Sequence, residues 1–395
     1  MPEPAFLELE YFQITKDGQC ACGDDFQWEK LENEEREIAV LSDGLGSGIK
    51  AHLLANMTTT MALEFMKSNK PILRSAEIIM DSLPVCEVRK ISYATFTVVD
   101  MFVSTGRTRV IEMGNPGYIQ LRGTREVPPF STSKLASANW PDREMDISEL
   151  QMEPGDRLII CTDGVTQAGL GAGVYKFGWR RQGCMEFARK LIEADPGISA
   201  RDLSRSIAFN AISLNPGRRC VDDTSCVVMY LRKPRLLRII TGPPYRREED
   251  AAFASAAVSD ADRVIVCGGT TANILSRELG RKVSIDLNLV AVSGGLPPPG
   301  IMDGVGTVTE GILTLTRVAG LLESHDFADA PAAAREIITA MEESDKIEFI
   351  VGTRVNEAHQ DPKLPIDLEL RRNIVRRLSA VLEKDYRKKV DIKYF

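Results

Sequence analysis

A short apolar run, Ile38-Ala39-Val40-Leu41, delivers Asp43 into the turn Gly44-Leu45-Gly46-Ser47-Gly48, and a helical apolar pattern follows at once. That order narrows what the chain can be. An acid at the end of a buried strand, followed by glycines that let the backbone come close, suits a hard cation held through a carboxylate and a carbonyl. The same turn could cradle a nucleotide phosphate or cap a helix. The rest of the sequence has to choose.

Three more acids stand in the same kind of place. Asp24 lies in Cys22-Gly23-Asp24-Asp25-Phe26, after the alternating run Phe6, Leu7, Leu9, Tyr11, Phe12 and Ile14. Asp163 ends Arg157-Leu158-Ile159-Ile160-Cys161-Thr162, and Asp222 opens the strand pattern from Cys220 to Leu231. One Asp-Gly pair is a weak signal, because most such pairs are turns. Four carboxylates converging without Lys or Arg partners would repel one another, so their convergence implies divalent cations. Asp25 and Asp223, the second acids beside these motifs, are expected to orient their neighbours, with a role as ligands the alternative.

A chain of 395 residues is long for one core, and two domains are expected. Arg232-Lys233-Pro234 reads as the linker, giving domains 1–232 and 236–395. Before it, a helix from Ser47 carries Ile49, Leu53, Met57, Met61 and Phe65 as one buried stripe. A second helix is expected from Pro71 to Pro84 through Ile72, Ala76, Ile79, Met80 and Leu83. Strands follow over Thr95–Asp100, Arg107–Met113 and Tyr118–Leu121, with a loop from Ser131 to Asp142. Helices are expected over Trp179–Ala194 and Ser199–Leu214. Past the linker the pattern turns to strand and helix in alternation: strands near Leu237, Arg263, Ile347 and Lys389, helices near Glu248, Gly269 and Leu368.

In this order the acids resemble the metal-dependent protein phosphatases of the PP2C type, specifically the bacterial SpoIIE branch, over roughly residues 5 to 232. Cys22-Gly23-Asp24-Asp25-Phe26 resembles that branch's Ser-Gly-Asp motif, and Ser42-Asp43-Gly44-Leu45-Gly46-Ser47-Gly48 its Asp-Gly-Met-Gly-x-Gly. Ile111-Glu112-Met113-Gly114-Asn115-Pro116-Gly117 is similar to its Gly-x-x-Pro turn, Thr162-Asp163-Gly164 to its Thr/Ser-Asp-Gly, and Asp222-Asp223-Thr224-Ser225 to its Asp-Asp-Met-Thr. Leu45 and Thr224 stand where the branch usually has Met. The phosphate-binding arginine of eukaryotic members has no clear counterpart.

The resemblance implies an α+β fold, an αββα PP2C-like β-sandwich flanked by helices, followed here by a smaller α/β domain. It implies that Asp43 bridges two Mn²⁺ or Mg²⁺ ions, that Gly44 gives its carbonyl to one, and that Asp163 and Asp222 bind the other. Asp24 is implied to act nearby through water. The implied reaction is hydrolysis of phosphoserine or phosphothreonine by a metal-activated water in bacterial signalling. The implied partner is a phosphoprotein, such as an anti-sigma-factor antagonist, with a homodimer as a further expectation. The helices after Asp43, about Ser47 to Leu83, read first as core packing, and the resemblance implies a regulatory switch. The rival reading is an inactive phosphatase-fold scaffold whose C-terminal domain is a ligand- or partner-binding sensor.

Bulk properties agree with an ordinary globular chain. Charged residues make up 27%, hydrophobic ones 44%, and the formal net charge is −7, which gives no reason to expect nucleic acid or a membrane partner. The start, Met1-Pro2-Glu3-Pro4, lacks a signal-peptide pattern, so a cytoplasmic location with free thiols among the eight cysteines is expected. Cys22, Cys161 and Cys220 each precede an acid by two positions and, if in strands, would share a face beneath it. They read as small buried hydrophobes or as redox-sensitive thiols. Gly268-Gly269-Thr270-Thr271 reads as a docking element or an anion loop. The helix with Arg371, Arg372, Arg376 and Arg377 reads as a solvated face.

Overall fold

The chain divides into two units, Met1–Lys233 and Pro234–Phe395, and the computed structural model describes residues 5–31, 34–68, 78, 94–137, 140–171, 175–285, 297–354 and 366–395. The first unit opens with β1 (Phe6–Ile14), β2 (Asp24–Leu31), β3 (Arg36–Gly44) and α1 (Ile49–Lys67). Then come β4 (Ala94–Phe102), β5 (Arg107–Met113), β6 (Ile119–Arg122), β7 (Arg125–Glu126), β8 (Ser131–Ser137), β9 (Trp140–Gln151) and β10 (Asp156–Cys161). The one-turn α2 (Asp163–Thr166), α3 (Arg180–Ala194), α4 (Ala200–Leu214) and β11 (Thr224–Arg232) complete it.

The strands form two antiparallel sheets, ordered β2-β3-β4-β5-β9-β8 and β1-β11-β10-β6-β7. Period-two alternation assigns each strand's faces to different layers. Ala39 and Leu41 of β3 join Leu158 and Ile160 of β10 and Val227 and Met229 of β11 in the core between the sheets. Ile38 and Val40 face the other way, against Ala62, Leu63 and Met66 of α1. Ile159 and Cys161 of β10 pack with Cys184, Met185, Leu203 and Ile207 from α3 and α4. The result is helix, sheet, sheet, helix: the αββα sandwich. Full burial of each Leu or Ile in these layers contributes about 1.5–3 kcal/mol.

Two local expectations are corrected, and a third falls outside the described residues. The α1 stripe is not buried as drawn: Ile49, Leu53 and Met57 are 60%, 56% and 52% exposed. A spacing of four drifts about 40° per step around a helix of 3.6 residues per turn, so such a row cannot stay on one face. The buried face is Ala51, Ala55, Thr58, Thr59, Ala62, Leu63 and Met66, with small residues over its first turns and larger ones towards its end. The described residues of Ser131–Asp142 are not a loop: they form β8 and the start of β9, paired antiparallel. As an edge strand rich in Ser and Thr, β8 lacks the apolar alternation that would have announced it. The expected second helix, Pro71–Pro84, lies outside the described residues apart from residue 78.

The second unit contains β12 (Leu236–Thr241), α5 (Asp250–Val258), β13 (Arg263–Cys267), α6 (Gly269–Leu279), β14 (Val283–Ile285), β15 (Gly300–Met302) and β16 (Gly306–Thr309). It ends with α7 (Ile312–Ser324), α8 (Ala332–Glu343), β17 (Lys346–Val351), α9 (Ile366–Lys384) and β18 (Lys389–Tyr394). β16-β13-β12-β17-β18 are parallel neighbours, and β14 and β15 extend the sheet antiparallel. Ile240, Val264 and Val266 pack with α5 and α6, while Leu237, Ile239 and Phe349 pack with α7, α8 and α9. This α/β layering follows from strands that are apolar on both faces. Arg238 and Glu348, opposite each other on β12 and β17, form a buried pair at 2.6 Å.

Candidate functional site

The β2–β3 register sets Asp24 directly opposite Asp43. Asp24 is 1% exposed. Its Oδ2 accepts from Thr162 Oγ1 at 2.8 Å and from Ser225 Oγ at 2.6 Å, so a carboxylate of one sheet is held by hydroxyls at the ends of two strands of the other. Its Oδ1 is buried with no hydrogen-bond partner among the described residues. Burial raises the Asp24 pKa to about 7; the two hydroxyls oppose the shift, and the charges of Asp223 and Asp163 add to it.

Asp43 is pushed higher still. Burial, then the charges of Asp24, Asp163 and Asp222, take its pKa to about 9. Its carboxyl shares a proton with Asp163, whose own pKa is raised by burial and by Asp222. Asp163 is the first residue of α2. Gln167 Nε2, one turn on, donates to its Oδ2 at 2.7 Å and fixes its orientation.

Asp222 stands at the rim. Its Oδ1 lies 3.5 Å from Lys16 Nζ, with both side chains partly exposed, a geometry that contributes little by itself. Lys16 also lowers the Asp163 pKa through its charge. The turn bearing Lys16 is pinned: Lys16 N donates to Asp223 Oδ1 at 2.9 Å and Asp17 N to Cys220 O at 2.8 Å. Asp25 faces α1 instead, accepting from Thr59 Oγ1 and from Asn56 Nδ2. Both second acids thus hold backbone or helix in place, as expected of them.

Each Asp-Gly pair needs its glycine for room. A Cβ on Gly44 would lie 2.0 Å from Ala51 O, and one on Gly164 would lie 2.1 Å from Asp223 O. The Gly114-Asn115-Pro116-Gly117 turn straps the same end of β3: Asn115 Nδ2 donates to Leu41 O at 3.4 Å and to Thr97 Oγ1 at 3.2 Å. Gly114, at φ +78, would otherwise press a Cβ to 2.6 Å from Thr95 Cγ2.

Glu112, which leads into that turn, accepts from Tyr118 N at 2.8 Å. Burial first, then the Asp146 charge, raises its pKa to about 7. The folded protein therefore keeps this proton over a range where the unfolded chain has lost it, so stability falls as pH rises from about 4.5 to 7. Glu112→Gln keeps the acceptor and removes the charge. It is expected to raise stability by roughly 2 kcal/mol at pH 8, with the gain fading below pH 5; thermal melts of both proteins across that range check it.

The three cysteines do not form one layer. Of the three, Cys161 alone lies in a strand, and it faces the helices, in register with Cys226 and hydrogen-bonded to Cys184. Cys22 and Cys220 sit in irregular backbone, where two-residue spacing sets no common face. Cys220 Sγ donates to Asp222 O at 3.1 Å.

Thr162, Ser225, Gln167 and Lys16 are parts of the site that the sequence did not single out as such. Thr162 and Ser225 fall inside the motifs, but nothing in the chain pattern marks Lys16. Among the described residues, no group of three or more His, Cys, Asp or Glu side chains is arranged to hold an ion as it stands. Asp43 and Asp163 are turned to each other, and Asp222 to Lys16. In kind the donors still fit a divalent cation: hard carboxylate oxygens, one of them buried on Asp24 with no donor, in a cluster that retains protons for lack of positive charge.

The sequence profile of the family described as stage II sporulation protein E (SpoIIE) matches residues 33–232. No curated protein matches the chain by sequence. Among solved structures, the phosphatase domain of SpoIIE from Bacillus subtilis is 17% identical, with a TM-score of 0.44 over 58% of this chain and 94% of that one. The RsbU and RsbW domains of a Mycobacterium tuberculosis protein are 17% identical, with a TM-score of 0.44 over 65% and 67%. RsbX in complex with magnesium is also 17% identical, with a TM-score of 0.40 over 57% and 95%. Among the described residues, no helix is long and apolar enough to cross a membrane.

Proposed function

The chain belongs to the stage II sporulation protein E (SpoIIE) family, and from that premise we propose that it is a metal-dependent phosphatase acting on phosphoserine or phosphothreonine in a protein. One observation carries the reading: Asp43 and Asp163, both half-buried, gather beside the buried Asp24, with Lys16 within reach of Asp163 and Asp222. Buried like charges oppose folding, so a scaffold gains nothing from them.

In this reading Asp43, Asp163, Asp222 and the Gly44 carbonyl hold two Mn²⁺ or Mg²⁺ ions, with Asp24 acting beside them. When bound, the ions would supply a nucleophilic water at neutral pH and neutralise the phosphoryl oxygens. For both carboxylates to serve as ligands, Asp43 and Asp163 would have to give up the proton they share. Thr162 and Ser225 keep Asp24 oriented, and Gln167 keeps Asp163 oriented. With Asp222 engaged by an ion, Lys16 would be available to part of the substrate's negative charge.

The test is hydrolysis of para-nitrophenyl phosphate by the full chain. Turnover is expected with Mn²⁺, lost in EDTA and regained on adding Mn²⁺, with Asp163→Asn inactive under all three conditions. Equal rates with and without metal would sink the reading.

A further inference from the structure

The segment Tyr175–Arg180 carries a cluster that hydrolysis itself does not require. Phe177 is 63% exposed. Lys176 Nζ lies 5.5 Å and Arg180 Cζ 4.8 Å from the centroid of its ring. Both cations are exposed, and neither has an ion-pair partner among the described residues. In a chain of net charge −7, two exposed cations gathered on one exposed ring suit an anion. Arg180 also takes φ +61, a left-handed conformation that costs a non-glycine residue about 1–3 kcal/mol and concentrates at functional sites.

The cluster is fastened to the acid site through the backbone. Gly178 takes φ +77, and a Cβ there would lie 2.8 Å from Thr166 O and 2.9 Å from Gln167 Cα. Trp179 N donates to Ala168 O at 2.9 Å. Gln167, against which Gly178 rests, is the residue that donates to Asp163. Lys176, Phe177 and Arg180 thus belong to a segment packed on the turn that carries Asp163 and Gln167.

We propose that Lys176, Phe177 and Arg180 form a docking surface for an acidic segment of the phosphoprotein substrate; this rests on the phosphatase reading. The two cations take carboxylates flanking the phosphorylated residue, and the ring between them takes an apolar or backbone contact. Stacking on Phe177 holds the long cationic side chains in place beforehand, so less freedom is lost on binding. Charge complementarity of this exposed kind sets partner choice and weakens with salt.

The test uses the full chain with Mn²⁺ and fluorescent peptides that carry a non-hydrolysable phosphonate in place of phosphoserine, flanked by Asp and Glu or by Lys and Arg. Anisotropy is expected to show the acidic-flanked peptide binding roughly tenfold more tightly, with the difference shrinking as salt is added. The K176E/R180E double variant, checked for folding by its thermal melt, is expected to lose or invert that preference. F177A should weaken the acidic peptide alone. No preference in the unaltered chain, or an undiminished preference in K176E/R180E, overturns the proposal. The phosphatase reading is scored separately by para-nitrophenyl phosphate turnover, so either can fail while the other stands.

Discussion

Asp43→Asn is expected to lower Mn²⁺-dependent kcat/KM for para-nitrophenyl phosphate by at least roughly a thousandfold, or ~4 kcal/mol of transition-state stabilisation. The metal-free protein should meanwhile melt at a higher temperature. The two effects have one origin. Burial and three neighbouring acids raise the Asp43 pKa to about 9, so at pH 7.5 the fold holds a proton that the unfolded chain, with an ordinary Asp, has released. A folded pKa above the unfolded one means that stability declines as pH rises through the interval between them. Asn resembles the protonated side chain, can still donate to Asp163, and carries no such dependence; a gain on the order of 2 kcal/mol near pH 7.5 is expected. A residue that merely supports the fold would show the reverse, losing stability and activity together. Calorimetry of the metal-free protein beside the kinetic assay separates the two cases. Activity above a tenth of the unaltered rate would remove Asp43 from the centre of the reaction.

How much of this was legible in the sequence depended on whether a residue's role is set by its neighbours in the chain or by distant ones. The strand-end acids were legible, since Asp43-Gly44 and Asp163-Gly164 each combine an apolar run with a glycine that only close packing explains. Their meeting was not a matter of spacing; it comes from β2 pairing with β3 and from β10 and β11 ending over Asp24. Residues acting at that junction were correspondingly opaque: Lys16 approaches Asp222 across more than two hundred positions. The α1 stripe misled because a fourfold repeat looks amphipathic locally while drifting around the helix. β8 was missed because an exposed edge strand needs no apolar alternation. The cysteine argument failed at Cys22 and Cys220 because it assumed strand geometry where the backbone is irregular. In the second unit the alternation of strand and helix was plain, but α7 and α8 were not picked out, nor was the Arg238–Glu348 pair, whose partners lie on strands far apart in sequence.

Gly44→Ala should cost roughly 2–4 kcal/mol of stability and also disable the site, because the missing side chain is where the two functions of the turn meet. The added Cβ would lie 2.0 Å from Ala51 O and 3.0 Å from Ala51 Cα, and these are backbone atoms that cannot rotate away. Either β3 or the first turn of α1 must move. β3 is held on both sides, by β2 and β4, through ladders that run to Asp43 and Gly44. α1 is the freer element: its N-terminus follows Gly46 at φ +109 and Gly48 at φ +71, and its outward face, Ile49, Leu53 and Met57, is more than half exposed. The first turn of α1 is therefore expected to yield, breaking His52 N to Gly48 O and loosening the Asn56 and Thr59 contacts to Asp25. Amide hydrogen exchange should rise over residues 49–59 and stay unchanged in β10 and β11, while Mn²⁺ affinity falls along with activity. Loss of activity with unaltered exchange in α1 would place the glycine's role in the metal site alone; a rise in exchange across both sheets would mean that β3, not the helix, gives way. The opposite pairing of outcomes at adjacent positions, stabilised and inactive for Asp43→Asn, destabilised and inactive for Gly44→Ala, is what a charge held for chemistry beside a glycine held for packing requires.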